Sequence, residues 1–385
     1  CYIPKGMAMK FASLAIHGDG KTAEHSGDVV PAIHLATTYR QPGVGEFQEY
    51  VYTRGSNPTR LALEKRLALL EDARYAFAFS SGMAATDTAF HLFKVGDRIL
   101  LNDNVYGGTF RYASKVFGSL GLSYDLVEDF NTLDFDRLPG GVRGIFLESP
   151  SNPLLRVTDI RRLAEKAHER DIILIVDNTF MSAYLQKPLD LGADIVVYSA
   201  TKYYSGHSDI LAGVLALNDG EKAGRVKILQ NTLGNPLNPA DSYRLERSIK
   251  TLALRMDRQC ANAAAVVELL RTHPKVKRVF YPSVGGENRR IQESQSRGFG
   301  AVLSFILRDD CDPARFVGAL SLFDFAVSLG SVESLVCHPA SQTHETFPPE
   351  LRKKAGIEDG LLRLSIGIED IEDLLLDLER ALEAA

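Results

Sequence analysis

The feature that most constrains this chain is a series of short, mainly apolar runs: Arg98 to Leu101, Tyr124 to Val127 (interrupted by Asp125), Gly144 to Leu147, Ile172 to Val176, Ile195 to Tyr198 and Leu211 to Ala216. A strand with one face in water alternates apolar and polar residues. An unbroken apolar run is what a strand needs when helices cover both of its faces, as in a mainly parallel sheet. Helical spacing falls between many of these runs. A helix is predicted from near Thr59, with Leu63, Leu67 and Leu70 on one face; Ile160, Leu163, Ala164 and Ala167 form another face behind Thr158 as its N-cap. Tyr75 to Phe79 reads as a further strand ending in Ser80, Ser81 and Gly82, and Met83 to Phe93 as a helix opening directly after it. Such alternation predicts an α/β fold whose ligands bind outside the carboxyl ends of the strands.

From near Asp241 the texture changes. A long helical pattern (Leu245, Ile249, Leu252, Met256) leads into apolar stretches at Val276 to Tyr281, Ala301 to Leu307, Phe323 to Ser328 and Leu361 to Ser365. The last helix is marked by Ile371, Leu374, Leu375, Leu378 and Leu382, with Asp370 as N-cap. The chain of 385 residues is long enough for two or three domains at about 150 residues each. The expected division is an extended N-terminal segment over 1–58, an α/β domain over 59–245 and a smaller C-terminal α+β domain over 246–385.

Composition removes several classes of function. With 44 Lys and Arg against 49 Asp and Glu and no basic run, nothing matches a phosphate backbone or an anionic bilayer, so neither nucleic acid nor membrane is expected as a partner. No stretch approaches the roughly 20 apolar residues of a membrane helix. Cys1, Cys260, Cys311 and Cys337 are too scattered for a disulfide framework, which points to a reducing compartment. The stretch Cys1 to Lys10 has no apolar signal core and no small-residue cleavage site, so the cytoplasm is the default expectation; residues before Met7 or Met9 are read as added or processed and left out of the fold reasoning. His207, Asp209, His338 and His344 lack the tight spacing of a zinc hydrolase, and no metal is expected.

Three strand ends carry polar residues: Ser81-Gly82-Met83, Asp177-Asn178, and Ser199-Ala200-Thr201-Lys202. Each alone has an ordinary explanation: a capped turn, an Asx-turn, a solvated lysine. Together they supply a helix N-terminus suited to a phosphate, a carboxylate able to keep a pyridine nitrogen protonated, and an amine able to form a Schiff base. Those are the parts of a pyridoxal phosphate site.

At these residues the sequence resembles the Cys/Met-metabolism family of fold-type-I pyridoxal phosphate enzymes, which includes cystathionine γ-synthase, cystathionine β- and γ-lyases and methionine γ-lyase. The likeness runs from Tyr52, Arg54 and Asn57-Pro58-Thr59 through Ser81-Gly82-Met83, Tyr106-Gly107-Gly108-Thr109, Glu148 to Pro153, Asp177 to Phe180 and Asp194 to Ser208. It continues at Ser328-Leu329-Gly330, His338-Pro339-Ala340, Thr343-His344 and Arg363 to Glu369, with Tyr204 standing where an aliphatic residue is more usual. The resemblance implies pyridoxal 5'-phosphate as cofactor, Lys202 as its Schiff-base lysine and proton shuttle, and Asp177 as partner of the ring nitrogen. It makes Gly82, Met83, Ser199 and Thr201 phosphate ligands and Tyr106 a ring-stacking residue that assists proton transfer. Arg363 would grip the substrate carboxylate, helped by Asn152 and the backbone around Ser328. Tyr52 and Arg54 would reach the phosphate of a neighbouring subunit, so an obligate homodimer follows, with a tetramer as the usual assembly.

The resemblance narrows the chemistry without choosing within it. Cystathionine-handling relatives often carry an acidic residue beside these motifs, where here stand Val51 and Val327, and apolar contacts give a distal ammonium no ionic grip. That leans toward a small thioether or a weakly held distal end, yet Gly108 replaces the cysteine usual in methionine γ-lyase. Residues 326–332 and 206–209 are similar to β-lyases. The expectation is a carbon–sulfur lyase acting on cystathionine or a related sulfur amino acid, ahead of cystathionine γ-synthase, methionine γ-lyase and a catalytically silent interaction protein.

Overall fold

Ile172 to Val176 illustrates how the apolar runs build the molecule. In the structure, a computed structural model describing residues 9–18, 28–345 and 347–385, this run becomes a central strand in which Leu174, Ile175 and Val176 are fully buried. Ile175 packs into one apolar cluster while Leu174 and Val176 pack into another on the opposite face. Each such aliphatic side chain contributes about 1.5–3 kcal/mol on burial, so a one-residue slip would sacrifice both faces.

The strands are β1 (Tyr75–Phe79), β2 (Arg98–Asn102), β3 (Ser123–Val127), β4 (Val142–Glu148), β5 (Ile173–Asp177), β6 (Ile195–Ser199) and β7 (Gly213–Leu217). They form one sheet in the order β1-β7-β6-β5-β4-β2-β3. All neighbours from β6 to β3 are parallel, and β7 runs against both β6 and β1. The carboxyl ends of β1, β6, β5 and β4 therefore share one edge. Two departures from the sequence reading concern burial. Edge strand β3 is only half-buried along its whole length, and β7 begins at Gly213 because Leu211, 62% exposed, stays outside the sheet.

The helices flanking this edge are set by local caps. They are α1 (Phe11–His17), α2 (Pro58–Glu71), α3 (Gly82–Phe90), α4 (Gly107–Lys115) and α5 (Ile160–His168). Asn57 caps α2 by accepting from Thr59 N at 2.9 Å, with Pro58 in the first turn where its missing N–H costs nothing. Helix α3 stops at Phe90, three residues short of the expected end. The cap of α5 is Asp159, whose carboxylate accepts from Arg162 N at 3.1 Å, and not Thr158, whose own N–H is taken by Ser149 Oγ at 3.0 Å.

The C-terminal part carries a second sheet: β8 (Val276–Phe280), β9 (Val302–Leu307), β10 (Asp324–Phe325), β11 (Leu335–Cys337) and β12 (Leu361–Ser365), in the order β10-β11-β12-β9-β8. The long helical pattern from Asp241 is two helices, Pro239–Ile249 and Leu252–Thr272. At the break Arg255 donates to Ser248 O at 3.0 Å, so a carbonyl of the ending helix is met by a side chain, and its Nη1 also reaches Tyr203 O at 2.7 Å. The strand expected over Phe323 to Ser328 shrinks to two residues, because Ser328 takes a φ of 104° and turns the backbone toward the site. The last helix, Ile371–Ala384, has Asp370 accepting from Glu372 N at 3.0 Å and Leu374, Leu378 and Leu382 fully buried. Cys1 lies outside the described residues; Cys260, Cys311 and Cys337 are free thiols. Among the described residues no helix is long and apolar enough to cross a membrane.

Candidate active site

The shared strand edge opens into a cleft of about 520 Å³. Gly82, Met83, Tyr106, Asn152, Asp177, Ser199, Thr201, Lys202, Val327, Ser328 and Arg363 all line it, so eleven of the thirteen residues singled out by sequence meet in one place. Tyr52 and Arg54 do not. Arg54 donates to Asn231 Oδ1 at 3.2 Å and lies 5.2 Å from the Tyr52 ring centre, on a surface outside the cleft.

One end of the cleft is built by the β1–α3 turn and by the residues after β6. Ser81 Oγ accepts from Ala84 N at 3.1 Å and starts α3, which aims its first N–H groups and positive dipole end into the cleft. Gly82 is required there because a Cβ would stand 2.8 Å from Ser199 Cβ. Thr201 Oγ1 donates to Ala212 O at 3.1 Å and accepts from Ala212 N at 3.0 Å, which pins the segment leading to Lys202.

The floor holds two carboxylates on paired strands, Glu148 opposite Asp177. Asp177 Oδ1 accepts from Thr179 Oγ1 at 2.5 Å and Thr179 N at 3.0 Å, and Thr179 Oγ1 in turn accepts from Ser199 N at 2.8 Å. Burial raises the Asp177 carboxyl above its ordinary value, and the Thr179 hydrogen bonds oppose that rise. Glu148 is pushed well above the carboxylate range by its burial and by the charge of Asp177 beside it. The Thr179 hydrogen bonds favour the charged form of Asp177, whereas burial and that neighbouring charge disfavour the charged form of Glu148. Its Oε1 also accepts from Tyr106 N at 2.8 Å, setting the tyrosine at the entrance of α4. Gly108 leaves room for that ring, since a Cβ there would approach Tyr106 Cε1 to 2.4 Å.

Lys202 donates to Ser328 Oγ at 2.7 Å. Burial, with the nearby Arg363 charge, lowers its amine from 10.5 to about 8, so a substantial neutral fraction exists near neutrality. Arg363, in the middle of β12 and 3% exposed, donates through Nη1 to Asn152 Oδ1 at 2.9 Å and through Nη2 to Ser328 O at 2.8 Å. Among the described residues its buried Nε has no partner, a spare donor on a guanidinium whose other two nitrogens are already engaged. Ser328 is held in its positive-φ conformation by these contacts, a strained geometry of the kind that concentrates at functional sites.

Sequence reasoning passed over two residues as site members. Thr179 and Glu148 were visible only as parts of longer motifs, and their roles depend on which strands pair. His344 is buried, lowered to about 4 by burial and by the Arg363 charge, and therefore neutral. Tyr204, unusual at its position, is fully buried and donates to Glu71 Oε1 at 2.8 Å, a partner an aliphatic side chain could not provide.

The residues present fit pyridoxal phosphate. A helix N-terminus with hydroxyls suits a dianionic phosphate, the Gly82 gap leaves space beside Ser199, and an amine and a carboxylate line the same cleft. Fold and cleft together define a pyridoxal phosphate enzyme of fold type I. The family model for Cys/Met metabolism PLP-dependent enzymes matches residues 12–383, and the chain belongs to that family. It is 47% identical over 370 residues to a cystathionine beta-lyase of Lactococcus lactis subsp. cremoris, covering 96% of this chain and 97% of the relative. It is 43% identical over 377 residues to a cystathionine gamma-lyase of Bacillus subtilis, covering 97% and 100%. Among solved structures, cystathionine gamma-lyase from Lactobacillus plantarum complexed with L-serine superposes with a TM-score of 0.95 at 41% identity, covering 98% of this chain and 99% of that one. Cystathionine gamma synthase from Xanthomonas oryzae pv. oryzae in complex with cystathionine gives 0.95 at 37% identity, covering 98% and 99%.

Proposed function

We propose that this chain is a carbon–sulfur lyase that, consuming one water, converts cystathionine or a related sulfur amino acid to a thiol, ammonia and a 2-oxo acid. The observation that carries it is the convergence of the Lys202 amine, the Asp177 carboxylate and the half-open Arg363 guanidinium on one cleft. Pyridoxal phosphate, when bound, supplies an aldehyde for amines and a ring that takes up the electron pair left by loss of the α-proton.

The side chains then divide the work. Arg363 fixes the substrate carboxylate, its Nε being the donor still open. Lys202, at about 8, accepts the α-proton as the free amine and can return it to a leaving thiolate or to carbon. Ser328 Oγ, its hydrogen-bond partner, steers the amine between these positions. Asp177 would keep a proton on the ring nitrogen, with the Thr179 hydrogen bonds favouring its charged form. Ser81, Gly82, Met83, Ser199 and Thr201 would hold the phosphate, and Tyr106 would lie beside the ring.

On this reading the cleft lies between a cofactor-binding unit, 59–245, and a C-terminal unit, 246–385, in a cytoplasmic homo-oligomer. The placement of Tyr52 and Arg54 outside their own cleft supports their completing a partner's site. A second reading, γ-replacement of an O-acylhomoserine by cysteine, is favoured by the likeness to the Xanthomonas oryzae structure. Cystathionine, methionine, homocysteine and acylhomoserine assayed side by side separate the two. Pyruvate or 2-oxobutanoate from cystathionine supports the lyase, faster cystathionine formation from acylhomoserine and cysteine than acylhomoserine hydrolysis supports the synthase, and no 2-oxo acid from any of the sulfur amino acids overturns the lyase.

A further inference from the structure

Six ionisable residues of unlike charge line the cleft: Arg111, Lys202 and Arg363 on the cationic side, and Glu148, Asp177 and Glu345 on the acidic side. Glu148 and Asp177 are committed to the floor, where Tyr106 N and Thr179 hold them. Glu345 is different. It is exposed, follows Gln342 and Thr343 along the rim, and among the described residues its carboxylate forms no ion pair. Val327, where an acidic grip was looked for, lies on the same cleft, 56% exposed and apolar.

We propose that Glu345 is a specificity-determining residue that attracts the ammonium at the far end of a two-headed substrate whose near carboxylate is held by Arg363. This rests on the lyase reading and narrows it, toward amino-acid thioethers with a second amino-acid head and away from those ending in an alkyl group. The physical ground is charge placement: an ammonium leaving water needs a counter-charge, and Glu345 is the acidic side chain of the cleft not already engaged at its floor. Being exposed, the contact is modest and sensitive to salt.

The test compares cystathionine with analogues in which only the distal amino group is replaced by hydrogen, one analogue for each direction of cleavage, using the holoenzyme and its E345Q and E345K variants. Wild type should prefer cystathionine. In E345Q kcat/KM for cystathionine should fall about fivefold through KM, with kcat held, while the matching analogue changes less than about twofold; E345K should lower cystathionine further, and added salt should shrink the wild-type preference. An equal change for cystathionine and analogue, as expected if Glu345 merely restrains Arg111 across the cleft, overturns the proposal and leaves the lyase intact, as does no change for either. Absence of 2-oxo acid from cystathionine and both analogues in wild type overturns the lyase reading, and this one with it.

Discussion

Replacing Lys202 with methionine should stabilise the cofactor-free protein at neutral pH and destabilise it in alkali. The magnitude follows from the amine's surroundings. Holding it at about 8 where an unfolded chain has 10.5 corresponds to about 3 kcal/mol. The sign is that of a depressed base. Below about 8 both folded and unfolded chains carry the ammonium and the full penalty is present; it is released as pH climbs from 8 toward 10.5, where the unfolded chain loses its proton too. Methionine matches the stem in length and has no charge to desolvate, but it forfeits the 2.7 Å bond to Ser328 Oγ, worth about 1 kcal/mol. The net effect should be a gain of about 2 kcal/mol at pH 7 that disappears with rising pH and reverses to a loss of about 1 kcal/mol. Urea denaturation of both proteins without cofactor, at equal protomer concentration and at several pH values from about 7 to about 11, measures the difference directly. A methionine variant that is less stable at pH 7, or a difference that does not move with pH, refutes the account of Lys202 as a desolvated amine.

Three further outcomes test the rest of the cleft. Gly82→Ala puts a methyl group 2.8 Å from Ser199 Cβ, so cofactor affinity, followed by absorbance on titration, should drop about tenfold or more as the cradle is forced apart. Arg363→Lys keeps the charge but cannot reach Asn152, Ser328 and a carboxylate at once; kcat/KM should fall about 10- to 100-fold in steady-state assays. Glu148→Gln retains an acceptor for Tyr106 N and removes a carboxyl whose charged form burial disfavours, so kcat should stay within about threefold, whereas Glu148→Ala, which strands that N–H, should lose about tenfold.

The strands of the large sheet and the chemistry at their ends were legible in the sequence for one reason. A strand covered on both faces must be apolar throughout, so Ile172 to Val176 and Ile195 to Tyr198 identify themselves, and a polar residue at such a strand's end, Asp177 or Ser199, marks the place where the chain emerges toward a ligand. The misreadings occurred where local pattern carries no information about neighbours. Thr158 and Asp159 are both good caps, and only the tertiary structure shows that it is the Asp159 carboxylate that accepts from Arg162 N. The run at Phe323 to Ser328 looks like a strand until Ser328 is seen turning toward Lys202 and Arg363.

By itself, then, the order of residues determined the strands of the large sheet, and it pointed to the helix start, the amine and the carboxylate on which the proposed site is built, because each depends on side chains adjacent in the chain. Only the tertiary structure decided that Glu148 stands opposite Asp177 and has its charged form disfavoured there, that Arg363 Nε has no partner among the described residues, and that Glu345 stands at the cleft rim. Those facts rest on residues brought together from distant parts of the chain, and electrostatics in a desolvated cleft is set by such neighbours in space.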